Sequence, residues 1–176
     1  PKLGIDVVSG HVGGVKYAAP AMLGGRYRIR EVLAAGGFGV VFTAVDERLH
    51  NKPVIVKAAR YDDDLFLHAH DRAVHTQVKL QRRRSLVEAR VLGHACMRGI
   101  GGVPRLLDMV EAPSPRLRGP HTAQDGTRFE LGPDLYQGER YLVLQRISGE
   151  TLDRACTRSG FRGNLLGHCR HMILQV

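Results

Sequence analysis

Beyond residue 25 the chain opens on alternating apolar and polar positions. Tyr27, Ile29, Val32 and Leu33 lead into a glycine-rich stretch, and the run 41–45 leads out of it. Both flanks are rich in the β-branched and aromatic residues that suit half-buried strands, so the pattern predicts a hairpin. A polar turn at 46–53 follows, then a third strand, Val54, Ile55 and Val56, closed by Lys57. Helical spacing takes over at 85–92, and the segment 71–95 reads as one long helix or two, with Asp62, Asp63 and Asp64 a candidate helix N-terminus upstream. Gly99, Gly101, Gly102 and Pro104 end that helix, and 105–110 reads as another strand. The stretch 112–138, with Pro113, Pro115, Pro120, Pro133 and an Asp125-Gly126 turn, predicts an exposed hairpin or loop. A last strand covers 141–147 and turns at Ser148-Gly149; a short helix is expected over 151–158 and the start of a longer one over 165–176. The latter carries an apolar stripe of Leu166, Met172, Ile173 and Val176, expected to be exposed and to limit solubility. Residues 1–24 show no clear period. Gly13-Gly14 and Gly24-Gly25 act as breakers, and a short edge strand at Val7, Val8 and Val15 is allowed but not required, so 1–25 is read as leader or linker.

The chemistry gathers at the first hairpin. Gly36, Gly37 and Gly39 lack Cβ atoms, which lets the backbone take positive φ and bring its N–H groups close to an anion such as a phosphate. Lys57 would be half buried if its run is a strand, and a buried charge needs a partner. Glu88, beside the apolar stripe of the helix, is able to supply one. Ser85 three residues before Glu88 also matches a capping box, in which the carboxylate would be tied to the local backbone, while Val78 and Leu80 continue the apolar spacing upstream; both readings stay open.

Hairpin, lysine and glutamate in this order resemble the N-terminal lobe of a eukaryotic-type protein kinase of the bacterial serine/threonine class. The family's GxGxxGxV pattern falls on Ala34, Gly36, Gly39 and Val41, with alanine in place of its first glycine. Its VAIK strand falls on 54–57 with Ile55 where alanine is usual, its C-helix glutamate on Glu88, and its fifth strand and hinge on 141–149. The resemblance implies an α+β fold: a kinase-like N-lobe with a five-stranded antiparallel sheet and a C-helix over 26–147, then the first helices of a truncated helical C-lobe over 148–176. It implies ATP as ligand, with Leu33, Ala34, Ala35, Gly36, Gly37, Phe38, Gly39, Val40, Val41, Ile55, Lys57, Leu144, Gln145 and Ile147 around it. Leu33, Val41 and Ile55 would sandwich the adenine, Leu144 would be the gatekeeper, and Gln145 and Ile147 would offer a main-chain carbonyl and N–H to its edge. Lys57 and Glu88 are the implied catalytic residues, and a protein hydroxyl the acceptor of the γ-phosphate in the complete enzyme. The catalytic loop HRDxxxxN, the DFG and the APE stretches do not occur, and Asp125-Gly126 precedes the hinge, so it is not the DFG. Mg2+ is expected with ATP, but its ligands are absent from this sequence, and the chain alone is expected to be inactive. A non-catalytic pseudokinase or regulatory nucleotide-binding module is the alternative.

Composition narrows the rest. The chain has 176 residues, 43% of them hydrophobic, enough for a real core. No apolar run reaches the roughly 20 residues that span a bilayer and no signal segment is visible, so a cytoplasmic location is expected. Cys96, Cys156 and Cys169 are scattered and odd in number, as free thiols are. The net charge of +9 raises a polyanion partner, but Arg82, Arg83 and Arg84 fan round a helix and no aromatic residues interleave with basic ones, which argues against nucleic acid. His68, His70, Asp71 and His75 point to different sides of a helix, and His168 and His171 lack a second pair, so no metal site is expected. The 31-residue interval between Lys57 and Glu88 is longer than the resemblance leads one to expect, as an insertion would make it.

Overall fold

The computed structural model describes residues 6–37, 39–61, 64–67 and 71–148. Strands dominate, in the order β1 (Val7–Val12), β2 (Val15–Pro20), β3 (Met22–Leu23), β4 (Tyr27–Gly36), β5 (Gly39–Asp46), β6 (Lys52–Ala58), α1 (Asp64–Leu67), α2 (Asp71–Met97), β7 (Leu106–Ala112), β8 (Pro120–Thr122), β9 (Arg128–Glu130), α3 (Pro133–Tyr136) and β10 (Glu139–Gln145). The main sheet has six strands, ordered β3-β4-β5-β6-β10-β7, with every neighbouring pair antiparallel. It curls until its two edges almost meet. Tyr27 donates to Asp108 Oδ2 at 2.9 Å, Arg26 Nη1 lies 3.9 Å from the same carboxylate oxygen, and a Cβ on Gly24 would sit 3.3 Å from Val110.

This corrects the expected fold class. The kinase-like N-lobe with a five-stranded sheet and C-helix is replaced by a mostly β, nearly closed, barrel-like sheet of six antiparallel strands with one main helix. The physical reason is the strand pattern itself. Tyr27 and Ile29, Val40, Phe42 and Ala44, Val54 and Val56, and Tyr141 and Val143 all bury on the concave side, and enclosing them calls for curvature. The expected first helices of a C-lobe, with the stripe 165–176, lie outside the described residues.

The segment read as a leader belongs to the core. β1 and β2 pair as a hairpin whose two-residue turn, Gly13-Gly14, has φ +59 and +80, as a primed turn requires. The hairpin buries Tyr17 and Ala19 in the main core, and Gly10 lies so close to β4 that a Cβ there would meet Val32 Cγ2 at 2.9 Å. The alternation was masked because Gly10, Ala18 and Ala19 are small and read as a linker.

The long helix is a single 27-residue element. Its C-terminal half packs Ala89 and Leu92 against Leu142, Leu144, Ile55 and Leu106 on the convex side of the sheet. Its N-terminal half packs Val74 and Val78 against Phe66 of α1 and against Leu117, Leu131 and Leu135. The stretch 112–138 is thus not simply an exposed loop. Three leucines on it bury, so β8, β9 and α3 form a second small core with the interval that precedes Glu88.

Candidate functional site

Alternation along β6 sends Val54, Val56 and Ala58 inward, which leaves Ile55 and Lys57 on the convex face that α2 covers. Register then aligns Ala34, Val41, Lys57 and Leu142 side by side across β4, β5, β6 and β10. Glu88 reaches Lys57 from α2, with Nζ 2.5 Å from Oε1. The side chains are 18% and 33% exposed, so the pair is partly desolvated and still open to solvent. Ser85 does not cap the helix: its hydroxyl donates to the Gln81 carbonyl oxygen at 3.3 Å, inside the helix, which leaves the Glu88 carboxylate for Lys57.

The glycine hairpin is unequal. Gly36 pairs with Gly39 to end the β4–β5 ladder; Phe38, expected at the tip of the hairpin, lies outside the described residues. A Cβ on Gly36 or Gly37 would meet nothing within 4 Å. At Gly39, with φ +148, it would meet the Ala58 carbonyl oxygen at 2.5 Å and Lys57 Cε at 3.2 Å. Gly39 therefore lets the strand lie directly against the root of the lysine, a close approach that only glycine allows.

The other expected adenine-lining residues are dispersed. Leu33 is 54% exposed, and Ala34, Gly36 and Gly37 are exposed as well, while Ala35 and Val40 turn toward the barrel core. Ile55 and Leu144 are packed beneath α2 with Leu92 and Leu106. Gln145 sits at the end of β10 with its N–H donated to the Arg105 carbonyl oxygen at 2.9 Å, and Ile147, just beyond, is 61% exposed. The groove on which Lys57 and Glu88 do open has a volume of about 820 Å³ and runs along α2, over Arg83, Arg84, Val87 and Val91. None of the described glycines lines it.

The arginine triplet divides as helical spacing requires. Arg82 turns inward to the carbonyl oxygens of Asp134 and Leu135, whereas Arg83 and Arg84 line the groove beside Lys57. These two were not singled out as site residues, and the only sequence signal for them was their phase relative to Glu88. The arrangement presents three cations near one carboxylate, which suits an anionic ligand.

Among the described residues no three His, Cys, Asp or Glu side chains cluster as a metal site would need, and no helix is long and apolar enough to cross a membrane. Cys96 is a free, half-buried thiol; Cys156, Cys169, His68, His70, His168 and His171 lie outside the described residues. Compared with known proteins, the chain is matched by no protein-family model and by no curated protein.

Proposed function

We propose that this chain binds ATP with its phosphates at Lys57, as the ATP-binding part of a serine/threonine protein kinase that transfers the γ-phosphate to protein hydroxyls. The observation that carries the reading is the Lys57–Glu88 ion pair, beside which the neighbouring strand carries no side chain at Gly39. The reading rests on that pair and on the motif spacing, not on fold class. Phosphoryl transfer is catalysed by positioning and by charge stabilisation. Glu88 would fix the ammonium, Lys57 would neutralise phosphate oxygens, and Arg83 and Arg84 would raise the local positive potential. Without the HRD and DFG stretches the chain holds no catalytic aspartate and no Mg2+ ligands of that kind, so binding without turnover is expected of it alone.

Titration of the chain with a fluorescent ATP analogue is the test. Lys57→Met is expected to weaken binding at least tenfold with an unchanged far-ultraviolet circular dichroism spectrum, and equal binding by the variant would sink the reading. A second reading, a non-catalytic nucleotide-binding module, is favoured by Ala34 on the lysine's own row and by Ile55 and Leu144 filling the space under α2. Phosphotransfer by the complete protein that vanishes with Lys57→Met selects the enzyme; nucleotide binding without transfer selects the module.

A further inference from the structure

α2 carries two apolar stripes where a surface helix needs one. Val74, Val78, Ala89 and Leu92 face the protein and belong to its cores. Leu80, Val87 and Val91 stand apart from them: at about 100° per residue they fall within about 40° of one another, and about a third to a half turn from the packed stripe. All three are exposed, the least of them at 41%, and all three line the groove along α2. The stripe is about 16 Å long.

Its borders carry charge of one sign. Arg83 and Arg90, both exposed and seven residues apart, run along one side, and Arg84, also exposed, lies on the other. Glu88 is the only carboxylate among the groove's described lining residues, and Lys57 holds it. An apolar ridge between cationic borders is complementary to a segment of the opposite pattern, aliphatic along its centre and acidic at its edges. Residues 149–176 have the wrong sign for it, with Arg154, Arg158, Arg162 and Arg170 against Glu150 and Asp153, and a second copy would set Arg83, Arg84 and Arg90 against themselves. A groove of about 820 Å³ also suits a cylinder more than a flat bilayer. We propose that this face of α2 is a docking surface for an acidic amphipathic helix of a partner protein, its aliphatic residues on Leu80, Val87 and Val91 and its carboxylates on Arg83, Arg84 and Arg90. The docking surface does not rest on the nucleotide reading, which assigns nothing to the three aliphatic residues.

Fluorescence anisotropy with a labelled synthetic peptide tests it, in the absence of nucleotide so that Arg83 and Arg84 serve one ligand at a time. The peptide is helix-forming, about four turns long, with leucine along one stripe and glutamate on both sides; its control carries lysine in place of glutamate. Saturable binding of the acidic peptide is expected, about tenfold or more weaker in Val87→Gln/Val91→Gln, and in Arg83→Glu/Arg90→Glu the preference is expected to reverse toward the lysine control. All four altered side chains are exposed, so both variants are expected to keep the parent's circular dichroism. No saturable binding, equal binding by either variant, or equal binding of the lysine control would each overturn the docking surface. So would binding to phosphatidylserine vesicles tighter than to the peptide and lost in Val87→Gln/Val91→Gln, or a dimer in sedimentation that the same change dissolves, each of which gives the stripe to another occupant.

Discussion

A single missing atom decides the geometry at Lys57. Gly39 has a positive φ and a neighbouring carbonyl oxygen where a Cβ would stand, while Gly36 and Gly37 face open space. Gly39→Ala should therefore destabilise the fold by about 1–3 kcal/mol and displace the lysine side chain, whereas Gly36→Ala and Gly37→Ala should stay within about 0.5 kcal/mol of the parent. Urea unfolding of the three variants checks this, and equal losses at all three positions would show that the close approach is unimportant. At this scale the sequence was informative about pairing. Lys57 closing an apolar run and Glu88 on a helix stripe point to each other in the sequence, and the two are in contact. Which of three glycines is sterically obligatory was not legible, because that depends on the register between β5 and β6.

A polar network also joins α2 to α3 and to the start of β10. Arg82 donates to the carbonyl oxygens of Asp134 and Leu135 on α3, and its Nε, buried without a hydrogen-bond partner, lies 3.8 Å from Glu139 Oε2. Tyr61 donates to that same oxygen at 2.6 Å, and the Arg140 N–H donates to the other at 3.2 Å. Burial pushes the Glu139 carboxyl above its ordinary range, outweighing the hydrogen bond from Tyr61 and the charge of Arg82. The folded chain then holds this proton to a higher pH than the unfolded chain does. Stability from Glu139 is greatest in acid and declines as pH rises from the usual carboxylate range toward the raised value. Glu139→Gln removes that decline, so the parent should lose stability relative to the variant as pH rises above the ordinary carboxylate range in paired urea titrations; a difference independent of pH would refute the raised carboxyl. None of this network was visible in the sequence. Tyr61, Arg82 and Glu139 are far apart along the chain and only folding the stretch 112–138 against α2 brings them together.

For the molecule as a whole, the alternation in the sequence located five of the strands and the long helix but not the curling of the sheet into a nearly closed barrel. Strand count and sheet curvature depend on weak signals: the two-residue β3, and a glycine- and alanine-rich hairpin whose inward positions are Tyr17 and Ala19. Local alternation marks a strand, but only long-range side-chain meetings, such as Tyr27 with Asp108, reveal which edges come together. Between β3 and β7 there is no ladder, and the described fastening is made by side chains: Tyr27 and Arg26 on Asp108, with Gly24 against Val110. Burial first, and the bond to Asp108 second, push the Tyr27 hydroxyl up to about 12. The unfolded chain releases this proton near pH 10, well before the folded one does, so every added unit of alkalinity in between favours opening. The barrel is thus a cylinder with a zip whose tooth is a phenol: lye, more than vinegar, should undo it.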